Sequence, residues 1–379
     1  MKVVISIDSF KGSLSSTQAG NAAKTGILRV YPDAEIVIRP LADGGEGTVD
    51  ALIEGLGGNL RTVTVTGPLS TPIKASYGIL EESKTAVIEM SAAAGITLVT
   101  EEERNPLHTT TYGVGELIKD AILQGCRKFL IGIGGSATND GGVGMLSALG
   151  FSFLDENGNK IALGAKGLKD LKTIETKNVL PELSECTFQI ACDVTNPLCG
   201  ANGCSAIYGP QKGADEKMIS DMDMWLLRFS ELSKTVFEHA NPDSPGAGAA
   251  GGMGFAFETF LNGTLKRGVE LVLKETDLEK YMKDADIVVT GEGRLDSQTA
   301  MGKAPAGVAT LAKKYEKKVI AFSGCATRDA NMVATCGIDA FFPIARGASS
   351  LEEAMDVKNA RENMTDTAEQ VFRLIRVYQ

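Results

Sequence analysis

At 379 residues, with 43% hydrophobic and 23% charged side chains, the chain has an ordinary globular make-up and exceeds the size at which one core stops growing, so two domains are expected. A net charge of −10 without any basic run argues against nucleic acid or an anionic membrane as partner, and no apolar run approaches the roughly 18 residues of a membrane span. Seven scattered cysteines and only two histidines, His108 and His239, argue against a disulfide framework or a structural zinc and for a reduced, cytoplasmic protein.

The N-terminus is too soon interrupted by Asp8 to be a signal peptide; Lys2–Ile7 reads instead as a buried strand. It opens onto the turn Asp8-Ser9-Phe10-Lys11-Gly12, after which Ser13, Ser15 and Ser16 offer helix caps. Ala19, Ala22, Ala23, Gly26, Ile27 and Val30 then fall on one helical stripe, Pro32 closes it, and Glu35–Arg39 is the next strand. Strand, helix, strand from the first residue argues for a parallel sheet.

The middle differs in texture. Arg61–Thr66, Ala75–Leu80 and Thr85–Met90 are strands with short gaps, which argues for antiparallel or mixed pairing. A helix with Val114, Leu117, Ile118, Ala121 and Ile122 on one face ends at Gly125. The strands Lys128–Ile133 and Phe188–Val194 follow, and Asn241–Gly254 is the nearest approach to a linker. Toward the C-terminus the alternation returns, with strands Asp286–Thr290, Lys318–Ser323 and Ala340–Ile344 around a helix that begins near Pro305. The pattern predicts an α/β protein with a discontinuous first domain, residues 1–60 and 283–379, and a mixed α/β domain inserted between its halves, residues 61–282.

The strongest local signal is Gly134-Gly135-Ser136-Ala137-Thr138-Asn139-Asp140-Gly141-Gly142, between a strand and a helix. Glycines free backbone N–H groups to meet an anion, and a helix N-terminus adds partial positive charge. Asp140 suits either a helix cap or a metal contact. There is no Gly-x4-Gly-Lys-Ser/Thr loop and no Gly-x-Gly-x-x-Gly turn, so a Walker-type nucleotide site and a dinucleotide fold are both disfavoured. Asp8, Asp193 and Asp296 each lie at or just past the carboxyl end of a strand, where open α/β sheets place ligands. Lys11, Arg294 and Lys303 sit in glycine-bearing turns and suit carboxylate or phosphate. His108 is as well explained by packing or capping as by acid–base work.

Taken together, several segments resemble the type I glycerate kinases: Asp8–Ser15, Pro40-Leu41-Ala42-Asp43-Gly44-Gly45-Glu46-Gly47-Thr48, Ile133–Gly142, Ala191–Leu198, Gly209-Pro210-Gln211-Lys212-Gly213-Ala214 and Thr290-Gly291-Glu292-Gly293-Arg294-Leu295-Asp296. The resemblance covers most of the chain in one order. It implies two α/β domains, a flavodoxin-like parallel-sheet domain formed by both chain ends and an inserted mixed-sheet domain. It also implies ATP-dependent, Mg²⁺-assisted phosphorylation of D-glycerate, generally at the 2-hydroxyl. On that expectation Gly134, Gly135, Ser136, Thr138, Asn139, Gly141 and Gly142 cradle ATP phosphates. Asp193 and Asp296 hold Mg²⁺ or draw the hydroxyl proton, Lys11 assists the transfer, and Asp8, Ser9, Arg294 and Lys303 bind glycerate, in a cleft that closes between the domains. The protein would act as a monomer or homodimer. Phosphorylation at the 3-hydroxyl, a phosphometabolite sensor and a nicotinamide-dependent 2-hydroxy acid oxidoreductase stay open as alternatives.

Overall fold

A computed structural model of the chain describes residues 1–378. In chain order, β1 (Lys2–Ile5) and β2 (Glu35–Ile38) precede the hairpin β3 (Gly58–Thr66) and β4 (Pro72–Leu80). Then come β5 (Thr85–Glu89), β6 (Lys128–Gly132), the small antiparallel pair β7 (Ser152–Leu154) and β8 (Thr173–Glu175), β9 (Thr187–Ala191) and β10 (Thr264–Lys266). The last three are β11 (Ile287–Leu295), β12 (Lys318–Ala326) and β13 (Ala340–Pro343). The chain divides into two compact units, one of Met1–Asp43, Asp50–Gly57 and Val269 onward, the other of Gly44–Val49 and Gly58–Gly268.

The first unit is built on a parallel sheet ordered β13-β12-β11-β1-β2. Ranked within the unit this is 5-4-3-1-2, the flavodoxin-like order read from its far edge. Because side chains alternate across a strand, Val3 and Ile5 pack on one face with the helices Ser16–Val30 and Val357–Val377. Val4 and Val288 pack on the other, with the helices Gly268–Glu275 and Ala304–Lys313. Ser15 caps the first helix in a capping box with Gln18. Gly26 lets the two long helices touch, since a Cβ there would lie 2.1 Å from Thr365 O.

The second unit carries a mixed sheet ordered β10-β9-β6-β5-β4-β3, in which β5, β6, β9 and β10 run parallel and the β3–β4 hairpin joins antiparallel. Its largely aliphatic core includes a group of packed aromatic rings: Phe129 stacks on Phe188 at 4.8 Å, and Phe229 meets Phe153, Phe255 and Phe260.

Two sequence expectations need correction. The segment Gly291-Glu292-Gly293-Arg294 is strand, because β11 stays paired with β12 through Leu295. Glycines allow that close pairing: a Cβ on Gly291 would lie 2.0 Å from Phe322 O, and one on Gly324 2.5 Å from Gly293 O. The linker candidate Asn241–Gly254 is interior, with Ala247, Ala249 and Met253 in the core. There Ala250, Gly251 and Gly252 all take left-handed backbone angles at the head of the helix Ala249–Leu261. That run of small residues reads as flexible in sequence, yet its lack of side chains serves close packing.

Candidate active site

In the first unit the chemistry gathers where the strand order reverses. The helix after β1 covers one face of the sheet and the helix Ala304–Lys313 after β11 covers the other, which opens a crevice beyond the carboxyl ends of these neighbouring strands. Asp8 donates its backbone N–H to Gly291 O at 2.8 Å, so the pairing of β1 with β11 runs on and seats Asp8 at that point. A cavity of about 420 Å³ there brings together Asp8, Ser9, Lys11, Arg294, Asp296 and Lys303, with Asp43 and Glu292.

Charge in this cavity is mixed. Burial pushes the Asp8 carboxyl up to about 7, and the neighbouring Asp43 and Glu292 add to the rise against the Ser9 N–H and Lys11. Burial also raises Glu292, opposed by the Thr299 hydroxyl, which donates to its Oε1 at 2.7 Å. Asp296 is committed on several sides. It caps the short helix Ser297–Ala300 through Thr299 N–H, accepts from Lys303 Nζ at 3.5 Å and lies 3.8 Å from Arg294 Nε. Arg294 and Lys303 are therefore held beside a carboxylate on the cavity wall.

The second unit holds its own cavity of about 430 Å³, lined by Gly44, Gly45, Gly134, Gly135, Ser136, Asp193, Gln211 and Lys212 among others. Asp193 is exposed and accepts the Gly268 N–H at 3.2 Å. Gly134–Ala137 is stitched to Ala94–Ile96 by the bonds Ile96 N–H to Gly135 O and Ala137 N–H to Ala94 O, so the first half of the glycine loop forms a firm wall.

The second half of that loop is placed differently from the expectation. Thr138, Asn139, Gly141 and Gly142 do not line the cavity; Thr138, Asn139 and Asp140 are fully buried. Asp140 spends its carboxylate inside the protein, accepting from Thr111 N–H and Oγ1–H at 2.9 Å and from Gly142 and Gly144 N–H. The N–H groups that a phosphate would use at this helix start are thus taken. Asn139 donates to Ser205 Oγ at 2.8 Å, and Gly141 donates to Gly251 O at 2.9 Å. His108 is exposed and lines neither cavity.

One residue escaped the sequence reading. Lys212 is 2% exposed, and its Nζ donates to Ser136 Oγ at 2.9 Å and to Thr138 O at 2.6 Å. Burial pushes its ammonium down to about 8, with Cys204 and Asp140 opposing. The available signal was a lysine followed by a glycine in a turn, as in Lys11-Gly12; Gly213 is left-handed at φ +89. Asp43 and Glu292 were likewise inside quoted motifs without a role.

Among the described residues, no helix is long and apolar enough to cross a membrane. The profile of the glycerate kinase family matches residues 3–376. The chain is 49% identical to the glycerate 2-kinase of Escherichia coli K12 over 93% of both chains, and 47% identical to a glycerate kinase of Haemophilus influenzae over 99% of both. A solved Salmonella typhimurium LT2 chain named for glycerate kinase 2 superposes with a TM-score of 0.93 at 45% identity, covering 100% of this chain and 99% of that one. With its motifs in family order, its flavodoxin-like unit and a match along its length, the chain belongs to the glycerate kinase family and is a kinase.

Proposed function

We propose that the chain transfers the γ-phosphoryl group of ATP to the 2-hydroxyl of D-glycerate, releasing 2-phosphoglycerate and ADP. The glycerate 2-kinase name of the Escherichia coli relative supports the substrate and the position. The observation that carries the donor site is Lys212: two of its three ammonium hydrogens are held by Ser136 and Thr138, and the third is left for an anion in the cavity it lines. A buried point charge beneath backbone Gly134–Ser136 suits a triphosphate, with the phosphates bound in the second unit. Arg294, Lys303 and Lys11, with Ser9, suit the glycerate carboxylate in the first.

Among the described residues no three His, Cys, Asp or Glu side chains converge as a metal cage. A Mg²⁺ carried by a nucleotide needs only one or two carboxylates, and Asp193, an exposed oxygen donor in the Lys212 cavity, fits that demand. When bound, the ion would neutralise phosphate charge. The seven unpaired cysteines suit a reducing compartment, and we place the enzyme in the cytoplasm.

The test is glycerate-dependent ADP formation with identification of the product by NMR. 2-Phosphoglycerate is the expected product. 3-Phosphoglycerate would overturn the position, and ADP release indifferent to glycerate would overturn the reading.

A further inference from the structure

Resting on the phosphotransfer reading above, we propose that Asp8 is the catalytic base of the reaction, taking the proton of the attacking glycerate hydroxyl. As the hydroxyl oxygen forms its bond to the γ-phosphorus, the O–H pair stays on oxygen and the proton passes to the Asp8 carboxylate. The bond from the γ-phosphorus to the bridging oxygen breaks, and its electron pair leaves with the nucleoside diphosphate.

Three carboxylates share the first-unit cavity besides Asp8, namely Asp43, Glu292 and Asp296. Asp296 already spends its oxygens on Thr299 N–H, Lys303 and Arg294, so neither faces the cavity without a partner. Glu292 is turned to the Thr299 hydroxyl. Asp8 is held differently. Its backbone is locked to β11 through Gly291 O, and Ser9 N–H donates to Oδ1 at 2.7 Å. That is the one hydrogen bond to its carboxylate among the described residues, so the side chain is oriented while its second oxygen is left to accept.

The charged groups around Asp8 act in two directions. Asp43, from the segment after β2, and Glu292, on β11, make a further negative charge on Asp8 costly; Lys11 opposes them. Arg294, Asp296 and Lys303 complete the charged lining. Burial, with the smaller push of Asp43 and Glu292 on top of it, brings Asp8 up to about 7, where a base is most effective.

The test is a pH profile of kcat/KM for glycerate at saturating ATP, on wild type and on three isosteric variants. Wild type should lose activity about tenfold per pH unit below about 7. Asp8→Asn should lower kcat by roughly 10²–10⁴-fold with glycerate KM little changed, and the residual rate should lack the acid limb. Asp43→Asn and Glu292→Gln each remove a repelling charge, so the acid limb should move to lower pH. An Asp8→Asn enzyme that raises KM at unchanged kcat, or that keeps the limb, overturns the assignment while leaving the kinase reading intact. The same holds if neither neighbouring variant moves the limb. Wild-type protein that forms no ADP with glycerate takes down both.

Discussion

Replacing Lys212 with Met tests the donor site through stability before any substrate is added. Met has similar length and no charge, so the buried stem is kept while the ammonium and its bonds to Ser136 and Thr138 are lost. The ammonium titrates near 8 in the folded protein against 10.5 for the ordinary side chain. Between those values the unfolded chain binds the proton and the folded chain does not, so wild-type stability rises with pH through the window. Below pH 8 both states are charged and the full penalty is present. At 1.36 kcal/mol per unit, the rise amounts to about 3 kcal/mol.

Urea denaturation followed by fluorescence reads this directly. The single tryptophan, Trp225, lies on the helix Glu216–Lys234 and packs against the core of the same unit as Lys212. The unfolding free energy of wild type minus that of Lys212→Met should therefore grow by about 3 kcal/mol from pH 7.5 to 10.5. A difference that is flat with pH refutes the buried, depressed ammonium. The same variant should raise the KM for ATP at least about tenfold, the loss of one charge-assisted contact.

Gly251→Ala should destabilise the second unit by several kcal/mol, because φ is +69 and the new Cβ would meet Thr138 O at 2.2 Å. Gly158→Ala, at φ +80 with open space around it, is the control and should cost only about 1–2 kcal/mol; Trp225 urea curves compare them. Tyr77→Phe removes the hydroxyl that donates to Asp120 Oδ2 at 2.7 Å while Arg61 still grips that carboxylate, so roughly 2 kcal/mol should be lost. Asp8→Asn should stabilise the first unit. The folded carboxyl titrates near 7 against 3.8, the folded chain binds more protons between those values, and wild-type stability falls as pH rises through them. Calorimetry should find the variant's gain growing from pH 5 to pH 8, to on the order of 2–4 kcal/mol. A gain independent of pH would refute the shift.

Much of the first unit was legible because its signals are local. The apolar run Lys2–Ile7, the Ser15 cap and the stripe Ala19–Val30 are each written within a few consecutive residues or one helix face. That ligands meet the carboxyl ends of strands singled out Asp8, Asp193 and Asp296; Asp8 and Asp296 share the first-unit cavity, while Asp193 lines that of the second. Burial is not local, and that is where the reading failed. Gly-x-Gly in Gly291–Gly293 looks like a turn until Phe322 and Gly324 are seen beside it.

The glycine loop is the sharper case, because one composition serves two physical purposes within nine residues. Gly134–Ser136 faces a cavity, where small residues give a ligand access to the backbone. Gly141 meets the left-handed turn at Gly251 and Gly252, where small residues let two backbones approach: a Cβ on Gly252 would lie 2.7 Å from Gly141 Cα, and Gly142 packs against Ala256 in the helix that follows. Residue type cannot separate these purposes, since both ask for a missing side chain. What joins them is Lys212, which bonds Ser136 on the cavity side and Thr138 on the buried side. A lysine that bridges wall and foundation must be paid for in desolvation, and such a charge gains most when an anion arrives to share it. The buried half of the loop, with its Asp140 network, is then the rigid support that keeps that ammonium in position.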